Sequence, residues 1–493
     1  MQYLLAHDLG TSGDKASLFT VDGTLVKSVV ASYPCSYGSG NCVEQNPEAW
    51  YAAVCRTTQS LASLVDPARI AGVSFSGHMM GAVLLDGSGA LLRPAIIWAD
   101  QRAVSEQALL SQRVGDRRLY EITGNRNNPT NSICKIMWSM AHDGLDGRLA
   151  KALNCKDYLV YRLTGYLGTD YSDASGMLLL DVQYKRWSQE MLEICGVSES
   201  QMPKLFESFE VVGTLTKEAA QTLGLPESVK VVAGAGDNAA AAVGTGTVGA
   251  GGCNLSLGTS GTIFISSDKF GVDPNNALHA FAHADGGYHL MGCMLSAASC
   301  NKWLCEEILK TSDFAGEQTD ITDEKLGENH VYFLPYLMGE RSPHNDPNAR
   351  GTFIGMTMDT RREDLTQAVL EGVAFAIRDS FEVAKKLGIS ISRSKICGGG
   401  AKSPLWKKIL ANVLQVELDS VASEQGPGLG GAMLAMVACG AFANVTEACQ
   451  RLVRVSETVR PDPELAARYE ARYQQFRNIY PACKALFPSL LDT

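Results

Sequence analysis

Short apolar runs alternate with longer stretches of helical spacing along the chain, the pattern of an α/β protein. Tyr3–Leu9, Lys15–Val21 and Leu25–Ser32 read as three consecutive strands joined by glycine-containing turns. Pro47–Val65 reads as a helix with proline in its first turn, where a missing N–H costs nothing. Ile70–Ser76 and Ala82–Asp86 return to strand. The first half is thus predicted to be a mixed sheet covered by helices. No low-complexity linker or long charge run divides the chain.

One repeat stands out. Leu9-Gly10-Thr11-Ser12-Gly13 recurs letter for letter as Leu257-Gly258-Thr259-Ser260-Gly261, half a chain later. Each copy follows a strand-like run and precedes another, Lys15–Phe19 and Thr262–Ser266. The matched flanks predict a duplicated domain with one such hairpin in each half; two coincidental turns are the alternative. A turn with glycine at both ends and two hydroxyls between them presents N–H and O–H donors, a concavity suited to phosphate. Asp8, just before the first turn, could hold a hydrated Mg²⁺, and Lys15, just after it, could offset phosphate charge. Either hairpin taken alone reads as an ordinary turn with solvated flanking charges.

The composition narrows the classes of function. A length of 493 residues corresponds to two to four domains at roughly 150 residues each. The chain carries 43 Lys+Arg against 53 Asp+Glu, a net charge of −10. That leaves no basic footprint for nucleic acid. The most apolar stretch, Val229 to Cys253, is mostly alanine and glycine and is cut by Asp237 and Asn238, a poor membrane span. Met1–Gly10 has no basic run and carries Asp8, unlike a signal peptide. Fourteen cysteines without a Cys-x-x-Cys read as reduced thiols, so a cytoplasmic location is expected.

Other motifs fail their context. There is no Gly-x-x-x-x-Gly-Lys-Ser/Thr phosphate loop. Gly244-Thr245-Gly246-Thr247-Val248-Gly249 has dinucleotide-binding spacing but follows the helix-like Ala239–Val243 rather than a strand. His279 and His283 alternate as in a strand, which sets them roughly 13 Å apart, too far to share a metal ion.

Further segments resemble the FGGY family of carbohydrate kinases. Gly351-Thr-Phe353-Ile-Gly355-Met356, followed by Asp364-Leu365-Thr-Gln-Ala368-Val369-Leu370-Glu371, is similar to the family's C-terminal signature. Lys135-Ile136-Met137-Trp138 resembles the core of the N-terminal one. Gly339-Glu340-Arg341-Ser342-Pro343 and Gly234-Ala235-Gly236-Asp237-Asn238 also look like the family. Within it, Ser76-Gly77-His78-Met79-Met80-Gly81 looks most like the xylulokinase branch.

The resemblance implies two ribonuclease-H-like domains of the actin/Hsp70 type with a cleft between them. Residues 1–245 would bind sugar and residues 246–493 ATP. It implies transfer of phosphate from ATP, with Mg²⁺, to a small sugar, D-xylulose at its 5-hydroxyl or a related pentulose. Another polyol or aldonate, a bare ATPase and a non-catalytic sensor are the alternatives. Asp237 would accept the hydroxyl proton, although by position alone it also suits capping the alanine-rich helix that follows. Gly10, Thr11, Ser12, Lys15, Gly258, Thr259 and Ser260 would hold phosphates, and Asp8 the metal. Gly399, Gly400 and Lys402, in the turn after the strand-like Ser394–Cys397, would meet adenosine. His78, Met79, Met80, Asp100 and Asn238 would line the sugar site. Here the chain departs from the xylulokinase triplet Gln-Met-His: its histidine position is Met80. Oligomeric state is left open, a homodimer included.

Overall fold

The computed structural model describes residues 2–145, 147–422 and 426–490. Two seven-stranded mixed sheets organise it, one in each half of the chain. The first is built from β1 (Tyr3–Leu9), β2 (Gly13–Thr20), β3 (Leu25–Ser32), β4 (Ile70–Gly77), β5 (Val211–Thr214), β6 (Lys230–Val232) and the short β7 (Ala235–Gly236). Its order is β5-β6-β4-β1-β2-β3, with β7 beside β4. The second uses β8 (Cys253–Leu257), β9 (Gly261–Ser267), β10 (His279–Ala282), β11 (Tyr288–Met294), β12 (Arg393–Cys397), β13 (Glu417–Val421) and β14 (Val455–Val459), in the order β10-β11-β9-β8-β12-β13-β14.

The two sheets repeat one plan. β1 runs antiparallel to β2, and β2 to β3, while β4 and β6 join on the other side in parallel. Likewise β8 is antiparallel to β9, and β9 to β11, while β12 and β13 join in parallel. This is the duplication expected from the repeated pentapeptide. The two hairpins nevertheless differ in register: Leu9 pairs with Asp14, but Leu257 pairs with Gly261, so the second loop is one residue tighter.

The early strands fall where the apolar runs place them. β1 and β3 match their expected bounds, and the helix expected from Pro47 is α1, Pro47–Ala62, capped by the Asn46 side chain. Two runs turn out differently. The Ala82–Asp86 run forms Val83–Leu85, which pairs with Lys151–Leu153 outside the main sheet. The apolar stretch that starts at Val229 is broken early into β6 and β7, because Gly234 at φ +73 presses against the backbone of Phe75 and re-aims the chain.

Five further helices position the site: α2 (Ser132–His142), α3 (Cys155–Thr164), α4 (Asp237–Gly244), α5 (Arg362–Lys386) and α6 (Gly426–Ala438). The last comes late in the chain but packs on the first sheet. Leu429, Ala432, Met433 and Met436 share one core with Leu4, Ala6, Val232, Ala239 and Val243. The second half also reaches the first through its edge strand: the Ala280 N–H donates to Gly124 O at 2.8 Å, and Ala282 N–H to Ser175 Oγ at 3.0 Å. Among the described residues no helix is long and apolar enough to cross a membrane.

Candidate active site

β1, β4 and β7 end together. Asp8 is in register with Ser76, and Ser76 with Ala235; one step on, Leu9, Gly77 and Gly236 lie in a row. The carboxylates of Asp8 and Asp237 therefore emerge at the C-terminal edge of parallel strands, where α/β proteins gather their ligands. Ser76 Oγ donates to Asp8 Oδ1 at 3.0 Å. Asp237 is the first residue of α4, not its cap: Gly236 holds the cap position, and Asp237 Oδ1 accepts from the N–H of Asn238 at 2.7 Å. Burial raises the Asp237 carboxyl to about 6, and the nearby negative charge of Asp8 pushes the same way. Asp8 is also raised, chiefly by burial, against the pull of Ser76 and Lys15. Lys15 stands directly across from Asp8 on β2.

The first hairpin is braced from several sides. Tyr33 Oη donates to Gly10 O, Gln45 Nε2 to Thr11 O at 2.6 Å, and the indole N–H of Trp98 to Thr11 Oγ1 at 2.9 Å. The Thr11 hydroxyl thus keeps its own proton to donate, and Ser12 is exposed. In the second hairpin Gly258 N–H reaches Ser260 O at 3.1 Å. The Thr259 carbonyl accepts from Ala297 N–H at 2.9 Å and from Ser299 Oγ at 2.7 Å, which leaves its side chain exposed. The Gly398–Gly400 turn lies against this hairpin's strand. A Cβ on Gly398, at φ +91, would sit 2.5 Å from Leu257 O, and one on Gly400 would sit 3.0 Å from Leu257 Cβ. Gly399 and Lys402 are exposed on the same turn. Gly398 is required because backbone meets backbone there, and Gly400 because the Trp406 ring and Leu257 close over it.

The third group follows β4. His78 is buried, its ring edge-on to Trp50 at 5.8 Å, and neither ring nitrogen has a hydrogen-bond partner. Burial lowers its pKa to about 4, so the ring is neutral. Met79 packs on Gly236, where a Cβ would meet Met79 Sδ at 2.7 Å. Met80 lies half-buried at φ +64, and Asn238 is exposed. Asp100 differs from expectation. It is sealed from solvent and its oxygens are engaged: Val43 N–H donates to Oδ2 at 2.5 Å, and Arg102 contributes its backbone N–H, Nε and Nη2. A carboxylate so occupied offers a sugar nothing. The segment contributes Trp98 to the hairpin instead.

Sequence reasoning missed a buried charge cluster behind Asp237. Lys156 Nζ lies 2.8 Å from both Asp157 Oδ1 and Asp170 Oδ1 and 3.6 Å from Asp173 Oδ2, with all four side chains sealed. Asp170 Oδ2 also accepts from Ser172 and Ser208, and Ser172 Oγ accepts from Gly236 N–H at 3.1 Å. The signal was present as Lys156-Asp157 and Asp170-x-x-Asp173 inside an apolar stretch.

Two duplicated sheet domains, each with a hydroxyl-bearing hairpin, and a carboxylate at the C-terminal edge of the first sheet define a phosphotransferase of the actin/Hsp70-like ATPase fold. Residues 3–244 match the N-terminal domain of the FGGY family of carbohydrate kinases, and residues 253–439 its C-terminal domain. The chain belongs to that family, and it is a sugar kinase that uses ATP. It is 39% identical to a xylulose kinase of Escherichia coli (strain K12) over 480 residues, 96% of this chain and 97% of that protein. A xylulose kinase structure from Brucella ovis superposes with a TM-score of 0.90 at 37% identity, covering 98% of this chain and all of that one. A gluconate kinase from Lactobacillus acidophilus superposes with a TM-score of 0.89 at 28% identity, covering 99% of each chain.

Proposed function

We propose that this chain transfers the terminal phosphoryl group of ATP to the 5-hydroxyl of D-xylulose. The sugar sits on residues 1–245 and the nucleotide on residues 246–493. The observation that carries the reading is Asp237: a carboxylate at the strand edge, beside Asp8, with its pKa raised to about 6 by burial. The 39% identity to a xylulose kinase over nearly the whole chain supports the choice of sugar. The fourteen free thiols support a reducing, cytoplasmic setting.

Phosphoryl transfer needs in-line positioning, charge neutralisation and an acceptor for the hydroxyl proton. Asp237 orients the sugar hydroxyl and accepts its proton late, because a carboxylate is a far weaker base than the alkoxide left behind. A pKa near 6 keeps it ionised at neutral pH and makes it a better acceptor than an ordinary aspartate. Asn238 donates to a neighbouring hydroxyl, and His78 and Met79 wall the pocket. Gly10, Thr11 and Ser12, with Gly258, Thr259 and Ser260, supply N–H and O–H donors to the phosphates, and Lys15 offsets their charge. Gly399, Gly400 and Lys402 receive adenosine.

Asp8 would hold Mg²⁺. Its hard oxygens, raised in pKa chiefly by burial, fit a water-rich divalent ion. Bound there, Mg²⁺ would supply neutralisation of phosphate charge.

One observation keeps another polyol or an aldonate as a second reading. The histidine of the xylulokinase triplet is replaced by Met80, a thioether that is at best a weak acceptor. Coupled ADP release across D-xylulose, D-ribulose, D-gluconate, erythritol and glycerol decides between them. D-xylulose should give the highest kcat/KM. A higher value for gluconate replaces the sugar but keeps the kinase, and sugar-independent turnover overturns both readings.

A further inference from the structure

Lys135 belongs to the N-terminal signature but has no part in the chemistry above. Its side chain is sealed from solvent, and among the described residues its ammonium makes no ion pair. It donates instead to two backbone carbonyls, Met80 O and Thr130 O, each at 2.6 Å. Burying it without a counter-charge is costly and lowers its pKa to about 7, so it is the N–H donors more than the charge that hold the two carbonyls. The cost is matched by what the ammonium holds. Met80 sits at φ +64, in the left-handed region that side chains disfavour. Such a conformation persists only where its surroundings enforce it.

The enforced turn is the one that walls the sugar pocket. Met79 reaches Gly236, the residue before Asp237, and a Cβ on Gly176 would meet Met80 Cγ at 3.3 Å. A rigid line of contacts therefore runs from Lys135 on α2 through the Met80 carbonyl and the Met79 side chain to the start of α4. We propose that Lys135 is a positioning residue for the sugar: its bond to the Met80 carbonyl fixes the left-handed turn that sets Met79 against Gly236. This rests on the reading of His78–Met80 and Asp237 as the sugar site. Without the Lys135 bond the Met80 carbonyl is no longer held in place, Met80 relaxes to negative φ, and Met79 withdraws from Gly236.

Lys135→Met keeps the aliphatic stem and removes the charge, and Lys135→Arg keeps charge and donors but crowds the carbonyl. Both should raise KM for the sugar, the first by about tenfold or more, while KM for ATP stays within about twofold. Glycine adopts positive φ unaided, so in a Met80→Gly background the cost of Lys135→Met should fall below about threefold. An equal cost in both backgrounds, or an unchanged sugar KM in the variant that folds, overturns the proposal. A crystal structure of the folded variant adds a readout that needs no sugar: Met80 should leave the left-handed region. Met80 remaining at positive φ overturns the clamp whatever the substrate proves to be. Failure of the unaltered chain to phosphorylate D-xylulose counts against the sugar assignment and leaves that structural test standing.

Discussion

Asp8 lies close enough to Asp237 for its charge to oppose ionisation there, although the two come from opposite ends of the first domain's sequence. β4 brings them together, with Ser76 in register with Asp8 on one side and with Ala235 on the other. Burial and the neighbouring charge act in the same direction, so Asp237 titrates near 6 rather than near 4. A base must be deprotonated to accept, so kcat/KM for the sugar should fall tenfold per pH unit below about 6. The measurement is a kcat/KM profile from pH 4.5 to 8.5 at saturating ATP. An acid limb near pH 4 would mean that the group in control is an ordinary exposed carboxylate.

The same shift makes Asp237 a burden on stability. Its folded pKa is raised above the unfolded value near 3.8. The folded state therefore loses stability as pH rises from about 4 through about 6, up to about 3 kcal/mol at about 1.4 kcal/mol per pKa unit. Asp237→Asn should lower kcat by about 10²–10⁴-fold. It should also melt higher than the unaltered chain at pH 8, and the advantage should vanish near pH 4. ATP affinity should stay within a few-fold. Thermal melts at the two pH values check the sign, and near-normal turnover would leave Asp237 with no catalytic task.

Much of this site was legible in the sequence, for identifiable reasons. The place of Asp237 was legible because a strand-like run ends just before a helix-like one, but position alone favoured a helix cap and its catalytic role was expected only from the family resemblance; the hairpins stood out because they repeat. The register difference between the hairpins was not legible, since five identical letters permit loops of either length. Asp100 misled because a lone acid beside Trp98 looks available. Its partner Val43 is distant in sequence, and the bond is made only by tertiary packing. Lys156 was missed for the opposite reason: a lysine in a helix normally reads as solvated, and only the fold encloses it with three aspartates.

That enclosure makes Lys156 a sensitive point. Lys156→Met should cost about 3–5 kcal/mol, because it leaves Asp157, Asp170 and Asp173 buried without their cation. Asp173 already has a carboxyl raised well above the ordinary range, mainly by burial. With the lysine gone, Asp157 and Asp173, both already raised by burial and held down by that cation, would bind protons more readily in the folded state. The lost stability should therefore return in part as pH falls from 8 to 5. Denaturant melts of both chains at the two pH values test this, and a deficit that is the same at both would show the loss to be packing rather than charge.

The contact between α4 and α6 sets a different limit. Built Cβ atoms at Gly244 and Gly430 would lie 1.9 Å from Gly426 O and 1.8 Å from Ala240 O. These helices meet backbone to backbone, and no side chain there can swing aside. A methyl group must move one helix off the other, which also parts α6 from Leu4 and Ala6 of the central strand. Gly430→Ala should therefore destabilise by about 1–3 kcal/mol as overpacking. Because α6 ties the late chain to the first sheet, the substitution should also disturb closure. Small-angle scattering of the unaltered chain should show compaction with saturating sugar and nucleotide, since closure excludes water from the transferring group. The alanine variant should compact less under the same conditions. Equal compaction would confine the role of the glycine contact to stability.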